Sequence, residues 1–233
     1  MAGVVEKNDP TGKILEVGPG KGVLTSELIK ITENFKAVEL DRDMVGYLLD
    51  HEILKEDQLI SQDFLKLDLR QVFDGASFTL AGNYPYNISS QIVIKMIRNH
   101  ELIPFSLGMF QYEMAKRITG KQNTKDYGSL SILTQLYYDC KIIYRVKPGD
   151  FSPPPKVHSA VVQFQRKDTF PSPGVDRLEK VLRRSFLHRR KKIRNNLSTP
   201  EEQKILAEMG LSDLRAEQIP METFIELTER LLP

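Results

Sequence analysis

The segment "NYPYNISS" at residues 83–90 places an amide, a proline and two tyrosines directly after a short apolar run. Pro85 fixes its own backbone and disfavours a helical conformation of the residue before it, so we expect a stiff turn. The side-chain carbonyl of Asn83 can accept hydrogen bonds, and the ring of Tyr86 can stack on a flat ligand. The turn therefore predicts a site for a flat polar ring, with a purely structural Asn-Pro turn as the alternative.

A second candidate segment is the glycine cluster "EVGPGKG" at residues 16–22, with glycines at Gly18, Gly20 and Gly22. The cluster follows a predicted strand and precedes a predicted helix, a position where backbone N–H groups can approach a bound ligand closely. Its spacing differs from G-x-G-x-x-G, and a plain tight turn is the alternative. The placement between strand and helix favours a ligand-binding loop.

Two acids lie at the ends of the second and third predicted strands. Glu39 lies 21 residues after Gly18 and is followed by Leu40; in a nucleotide-binding sheet an acid at this point accepts hydrogen bonds from ribose hydroxyls. Asp63 could accept from an adenine amino group while Phe64 packs on the ring. Either acid alone is more often a solvated loop residue or a helix cap, so the prediction depends on the combined pattern.

These residues need a sheet to position them. Apolar runs predict strands at residues 13–18, 35–40, 58–65, 77–83 and 105–111, with helices at 22–31, 41–54 and 90–100. Strands that alternate with helices predict a parallel sheet covered on both faces, and ligands bind beyond the carboxyl ends of such strands. Gly18, Glu39, Asp63 and Asn83 should therefore line one edge.

The rest of the chain predicts an edge hairpin and a second domain. Residues 141–146 and 159–165 look like two strands with no helix between them, and the pattern is helical only from residue 175 onward. The break "TFPSPG" at 169–174 separates the two parts. We therefore predict an α/β domain over 1–168 and a small all-helical domain over 174–233.

The composition indicates an ordinary globular protein in a reducing compartment. The 233 residues include one cysteine, Cys140, which excludes an intrachain disulfide. No clustered Cys or His pattern predicts a metal site, and no run approaches the ~20 apolar residues of a membrane span. We expect a cytoplasmic protein with no bound metal and no membrane partner.

Basic charge is concentrated in one segment. Residues 177–194 hold nine Lys or Arg and one Glu, whereas the remaining residues hold 24 basic and 30 acidic side chains. The densest part contains Arg189, Arg190, Lys191, Lys192 and Arg194. Crowded cations without acidic neighbours stabilise a helix poorly and bind phosphates well, which predicts RNA contact. A solvated helix face is the alternative.

The motifs "EVGPGKGVLT", "VELDRD", "SQDFL" and "NYPYNISS" resemble those of the KsgA-type small-subunit ribosomal RNA adenine dimethyltransferases. The segments "YGSLSILTQLYYD", "FSPPPKVHSAVV" and "HRRKKIRNNL" continue the resemblance, which extends from about Lys13 to the last helix. It implies a Rossmann-like class I methyltransferase sheet, mostly parallel with an antiparallel edge hairpin, plus a helical RNA-binding domain. The family usually has Leu at the position of Tyr84, a departure that leaves Asn83, Pro85 and Tyr86 intact.

The resemblance also implies roles for the candidate residues. The cofactor is expected to be S-adenosylmethionine, bound by Gly18, Gly20, Glu39, Leu40, Asp63, Phe64 and Asn83. The expected catalytic group consists of Asn83, Pro85, Tyr86 and Phe151, in which Asn83 and a backbone carbonyl near Pro85 would make the adenine amine more nucleophilic. The family's aromatic at the position of Phe151 lies beside the target-base pocket, and Lys156 could meet a phosphate. A merely rigid "SPPP" loop is the alternative for these last two residues.

The implied reaction is dimethylation of two adjacent adenosines near the 3′ end of small-subunit ribosomal RNA, on a precursor of the small subunit, by a monomer. A resistance-type methyltransferase of large-subunit RNA is one alternative, and the triple proline favours it less. A nucleic-acid-binding factor without catalysis is another. The family's basic stretch ending near "GQ-[HN]-F-L" has no match in the twelve residues before Lys13, so we expect that this segment is lacking.

Overall fold

The computed structural model describes residues 1–150 and 157–232. Its strands are β1 (Ile14–Val17), β2 (Phe35–Glu39), β3 (Leu59–Ser61), β4 (Thr79–Asn83), β5 (Phe105–Gln111), β6 (Tyr138–Val146) and β7 (Ser159–Arg166). Its α-helices are α1 (Ala2–Asn8), α2 (Thr25–Leu28), α3 (Arg42–Asp50), α4 (Ser89–Arg98), α5 (Tyr112–Ile118), α6 (Ser129–Tyr137), α7 (Gly174–Ser185), α8 (Pro200–Glu208) and α9 (Met221–Leu231).

The strands form a seven-stranded sheet in the order β3-β2-β1-β4-β5-β7-β6. The first five strands pair in parallel, and β7 runs antiparallel to β5 from Phe105↔Gln165 to Gln111↔Ser159. The predicted α/β class, with a mostly parallel Rossmann-like sheet and an antiparallel edge, is confirmed. The order reverses between β1 and β4, and this is the point where open α/β sheets bind ligands.

The central strands are apolar because both of their faces are covered. β1 is buried at all four positions, β4 at four of five and β5 at six of seven. Strands buried on both faces are mostly apolar, and "ILEV" and "TLAGN" follow this pattern except at Glu16, Thr79 and Asn83. The one acid within β1, Glu16, is 1% exposed.

Two predicted helices are shorter than their sequence patterns. The helix predicted over 22–31 has α-helical geometry only in α2, because Gly22 has a φ of +80° and turns surround the helix. The helix predicted over 41–54 is α3, which ends at Asp50 before Glu52 adopts a φ of +53°. Asp41 is its N-cap, since the Asp41 carboxylate accepts from the backbone N–H groups of Asp43 and Met44.

The chain divides into two compact units. The first consists of the described parts of 1–115 and 139–166, and the second of 116–138 and of the chain from 167 to α9. This division differs from the predicted domains 1–168 and 174–233, because residues 116–138 group with the C-terminal helices. The sequence pattern predicted no helix over the residues that form α5 and α6.

The second unit is a helical bundle with its own core. Buried residues of α7 fall at Leu178, Val181, Leu182 and Ser185, the spacing of one helical face. Helix α8 begins with a capping box in which Thr199 and Glu202 exchange hydrogen bonds. Burial raises the pKa of Glu202, but the Thr199 backbone and Arg184 lower it more, so the carboxylate is stabilised overall.

The described residues contain neither a candidate membrane span nor a candidate metal-binding cluster. None of their helices combines the length and the apolar character that crossing a membrane requires. Nor do these residues contain a group of three or more His, Cys, Asp or Glu side chains suited to holding a metal ion.

Candidate active site

Four candidate residues lie along one edge of the sheet in the first unit. Gly18 follows β1, Glu39 ends β2, Asp63 follows β3 and Asn83 ends β4. Because these four strands are consecutive neighbours in the sheet, their carboxyl ends form one continuous rim. The structure thus brings together the residues that the sequence singled out.

The glycine loop has a backbone that other residues adopt poorly. Gly18 and Gly20 have φ angles of +69° and +54°, in the left-handed region that favours glycine. The Gly18 N–H donates to the Val38 carbonyl at 3.0 Å. A Cβ on Gly18 would lie 3.5 Å from Cδ of Pro85, so the glycine loop is directly adjacent to the turn after β4.

The Glu39 carboxylate is held by three backbone N–H groups. Its Oε1 accepts from Leu40 at 2.9 Å and from Asp41 at 3.0 Å, and its Oε2 accepts from Gly20 at 3.3 Å. A carboxylate has about four acceptor positions, so about one remains for a ligand hydroxyl. Leu40 is 65% exposed, which leaves an apolar surface beside this carboxylate.

Asp63 and Phe64 differ in what they offer a ligand. Oδ1 of Asp63 accepts from the Leu65 N–H at 2.9 Å, and within the described residues no hydrogen bond reaches Oδ2. Phe64 is 4% exposed, with the Lys95 ammonium 5.4 Å from its ring centroid. Its ring therefore has little free surface for stacking.

Lys95 holds the loop after β3, which carries Asp63 and Phe64, in place. Its Nζ donates to the carbonyls of Leu65 and Leu67 at 3.0 and 2.5 Å. Burial lowers the pKa of Lys95, while the charges of Asp63 and Asp68 act in the opposite direction. The lysine thus fixes the loop after β3 and contributes positive charge near the Asp63 carboxylate.

The turn after β4 exposes Asn83 and buries Tyr84. Tyr84 is 2% exposed, its hydroxyl lies 3.3 Å from Oγ of Ser106, and its ring meets Phe110 edge-on at 5.1 Å. Burial raises the pKa of Tyr84. Gly82 leaves room for the ring, since a Cβ there would lie 2.7 Å from Cε1 of Tyr84. This departure from the family pattern therefore anchors the turn in the core.

The remaining backbone and side-chain groups of the turn are arranged for contact with a ligand. Tyr86 is half-buried, and its hydroxyl lies 2.7 Å from Oγ of the buried Ser159. The carbonyl of Pro85 accepts from Ile88 N–H at 3.2 Å. Among the described residues, no hydrogen bond reaches the Tyr84 carbonyl or the Asn83 side chain. The exposed Asn83 side chain can thus accept a hydrogen bond from a ligand, and it neighbours a backbone carbonyl that has no hydrogen bond in the described structure.

Glu16 is a residue to which the sequence analysis assigned no role. Its Oε2 accepts from the Thr25 hydroxyl at 2.7 Å, beneath the glycine loop. Burial raises the pKa of Glu16 to about 7; the Thr25 hydrogen bond lowers it, and the charge of Glu39 adds to the increase. The signal that could have found it is an acid inside an otherwise apolar strand.

The predicted basic cluster lies in the helical unit, and its members differ. The ammonium of Lys192 and the guanidinium of Arg194 pair with Oδ1 of Asp213 at 2.7 and 2.9 Å. Hydrogen bonding and charge from Lys192, then the charge of Arg194, lower the pKa of Asp213. Arg189 donates to the Thr124 carbonyl at 3.4 Å.

The four remaining predicted residues are two exposed cations of the cluster and two residues outside the described ranges. Arg190 and Lys191 are exposed, and no ion pair or hydrogen bond of their side chains occurs within the part of the chain that the structure describes. Phe151 and Lys156 lie outside the described residues, so their predicted roles stay predictions.

Two solved structures share the fold of this chain. A dimethyladenosine transferase from Plasmodium falciparum shares the fold with a TM-score of 0.77 and 21% identity, over 94% of this chain and 88% of that one. The 23S rRNA methyltransferase ErmE does so with a TM-score of 0.65 and 24% identity, over 99% and 96%. The fold is thus that of the Rossmann-like methyltransferases.

The chain belongs to the ribosomal RNA adenine dimethylase family, whose model matches residues 1–231. It is 43% identical to the ribosomal RNA small subunit methyltransferase A of Bacteroides thetaiotaomicron, over 95% of this chain and 84% of that protein. It is 41% identical to the protein of the same name from Flavobacterium johnsoniae, over 94% and 84%.

S-adenosylmethionine is the methyl donor of such enzymes, and the residues present fit it. The rim offers carboxylate oxygens at Glu39 and Asp63 with unfilled acceptor positions, next to a loop whose glycines admit close backbone approach. These are the groups that a nucleoside with ribose hydroxyls and an adenine amine requires.

Proposed function

We propose that this chain transfers methyl groups from S-adenosylmethionine to N6 of two adjacent adenosines near the 3′ end of small-subunit ribosomal RNA. The observation that carries the proposal is the exposed amide of Asn83, next to an unoccupied backbone acceptor and directly adjacent to the glycine loop. Family membership supports the same reaction.

The cofactor side of the site would be formed by the rim. When bound, S-adenosylmethionine supplies an electrophilic methyl group. Glu39 would accept hydrogen bonds from the ribose hydroxyls. Of the three backbone hydrogen bonds to Glu39, the one from the Gly20 N–H is the longest, at 3.3 Å, and a ligand hydroxyl would replace it most easily. The free Oδ2 of Asp63 would accept from the adenine amino group. The apolar side chain of Leu40 and the backbone of Phe64 would complete the surface, with Gly18 at close approach.

The catalytic side would act by orienting the target amine. The N6 lone pair of adenine is delocalised into the ring, which makes it a poor nucleophile. The Asn83 side-chain carbonyl and the Tyr84 backbone carbonyl would accept hydrogen bonds from the two N–H groups of the amine. These hydrogen bonds would favour a pyramidal nitrogen. Fixed acceptors of this kind are already oriented before the reaction begins. Burial of the Tyr84 ring holds both acceptors in place.

The target base would be held by stacking. Tyr86 presents a half-buried ring whose hydroxyl lies 2.7 Å from Oγ of Ser159, so the hydroxyl end of the ring is held before a base arrives. A base that has left its own stack can rest on such a ring. Pro85 stiffens the turn, and we propose Phe151 as the second stacking face.

The helical unit would bind the RNA backbone. We propose contacts to phosphates from the 189–194 cluster and from Lys156, with the exposed Arg190 and Lys191 contributing most because their charges have no partner in the described structure. The enzyme would act as a monomer in the cytoplasm, on precursors of the small subunit.

The experiment that tests this function compares particles. The chain is incubated with methyl-labelled S-adenosylmethionine and unmethylated small or large ribosomal subunits, and label in RNA is counted. We expect incorporation into the small-subunit RNA alone, approaching four methyl groups per particle if two adenosines are dimethylated. Incorporation into large-subunit RNA would favour the resistance-type alternative, and no incorporation into either would favour the non-catalytic one.

A further inference from the structure

The second unit contains a basic loop that the sequence analysis did not connect with RNA. Residues 121–125, "KQNTK", link α5 and α6, and both Lys121 and Lys125 are exposed. Within the described structure neither lysine has an ion pair or a side-chain hydrogen bond. Asp126 is the nearest acid along the chain, and it is half-buried.

This loop is held in place by contacts at several points. Gln122 Nε2 donates to the Gln218 carbonyl at 2.6 Å, and Asn123 N–H donates to the Glu217 carbonyl at 3.0 Å. The hydroxyl of Tyr127 donates to the Ile219 carbonyl at 3.0 Å. Because its polar groups are satisfied by the protein, the loop presents its two lysines from a fixed backbone, which reduces the entropy lost on binding.

Arg189 connects this loop with the predicted basic cluster. Its guanidinium donates to the Thr124 carbonyl at 3.4 Å, so the residues on either side of the contact are brought close. Arg190 and Lys191 directly follow Arg189 in the chain, and Lys125 directly follows Thr124. Lys192 and Arg194, in contrast, both pair with the carboxylate of Asp213, which compensates part of their charge. The uncompensated charge is therefore shared between two segments.

We propose that residues 121–125 and 190–191 together form one site for RNA backbone phosphates, the basic loop pair, with Arg189 as the residue that joins its halves. Phosphates are bound by Lys and Arg whose charge is not already compensated, and each contact releases condensed counterions. The site extends the RNA contact of the proposed function, on which its biological use depends.

The test measures salt-dependent binding to a plain RNA hairpin, without cofactor and without methyl transfer. Fluorescence anisotropy is recorded at several salt concentrations for the wild-type chain, for Lys121→Gln/Lys125→Gln and for Arg190→Gln/Lys191→Gln. Lys180→Gln/Lys204→Gln serves as the charge-matched control, since both lysines are exposed on helices of the same unit. Unfolding midpoints check that each variant is folded.

We expect each test pair to lower the slope of log affinity against log salt by roughly 1.4 to 1.8, at about 0.7–0.9 per lost contact. The control pair should change the slope little. A slope for Lys121→Gln/Lys125→Gln equal to that of the control would overturn the inference. This outcome can occur while the wild type still methylates small subunits, so it is distinguishable from failure of the proposed function.

Discussion

The strand-end rim and the basic loop pair hold their functional groups in different ways. On the rim, Glu39 is fixed by three backbone N–H groups and Asn83 is presented by a turn anchored through the buried Tyr84. In the basic loop pair the side chains are exposed and only the backbone beneath them is fixed. Transfer of a methyl group requires atoms placed before the reaction, whereas phosphate binding requires charge near a polyanion.

Because of this difference, we expect substitutions on the rim and in the basic loop pair to have opposite effects. Changes on the rim should alter turnover or cofactor affinity and leave the salt dependence of RNA binding as it is. Changes in the basic loop pair should alter that salt dependence and leave cofactor affinity as it is.

Replacing Asn83 by alanine should lower turnover by on the order of 100-fold or more, by analogy with the loss of one preorganised polar group. Affinity for S-adenosylmethionine and for RNA should change little. Initial rates at saturating substrates and calorimetric titration of the cofactor measure the two effects. Asn87→Ala is the control, an exposed asparagine of the same turn region. Near-normal turnover of Asn83→Ala would remove Asn83 from the mechanism.

Replacing Glu16 by glutamine should change how stability depends on pH. Burial raises the pKa of Glu16 from 4.5 to about 7, so the wild type should lose stability as the pH rises from about 4.5 through about 7. Ionising the buried carboxyl should cost up to about 3 kcal/mol at high pH. The Glu16→Gln variant lacks this loss, and unfolding midpoints between pH 5 and 9 compare the two proteins. Parallel pH profiles would show that Glu16 ionises as easily as an exposed acid.

Replacing Glu39 by glutamine should weaken S-adenosylmethionine binding by about 10- to 100-fold, because a charged acceptor is lost and an amide N–H₂ faces a backbone donor. The salt slope of RNA binding should stay at the wild-type value. Glu33→Gln is a suitable control, since Glu33 is an exposed loop acid outside the rim. Equal cofactor affinities in calorimetry would contradict the ribose-binding role.

Replacing Tyr86 by phenylalanine should have the smallest effect. The ring that would stack is kept, and only the hydroxyl contact with Ser159 is lost, at about 0.5–1.5 kcal/mol. We expect turnover to fall by a few-fold, and by more in Tyr86→Ala, where the ring itself is removed. Single-turnover rates separate the variants. Equal rates for Tyr86→Phe and Tyr86→Ala would mean that the ring does not stack on the base.

Much of the fold and the rim could be predicted from the sequence, because strands buried on both faces leave continuous apolar runs and polar residues follow them at once. β5 has the predicted bounds, and the Asp41 cap follows from its position before α3. The helical unit was harder to delimit. α6 is buried nearly all round, with Ser131 and Thr134 among its buried residues, and local periodicity does not say against which core such a helix packs.

Pairing across long sequence separations explains what the sequence could not predict. Arg189 contacts a residue 65 positions earlier, and Lys192 pairs with an acid 21 positions later, so a count of charges overstates the cations left for RNA. The buried ring of Phe64 is another case, because a motif gives the residue type but not the packing of Lys95 over it.

The most direct test of the account is nucleoside analysis by mass spectrometry of small-subunit RNA after reaction with the purified chain and S-adenosylmethionine. The account predicts that N6,N6-dimethyladenosine appears with the wild type and forms on the order of 100-fold more slowly with Asn83→Ala. If the wild type binds both the cofactor and the RNA but forms no N6,N6-dimethyladenosine, the result would contradict the central claim that the Asn83–Tyr86 turn positions adenine for methylation.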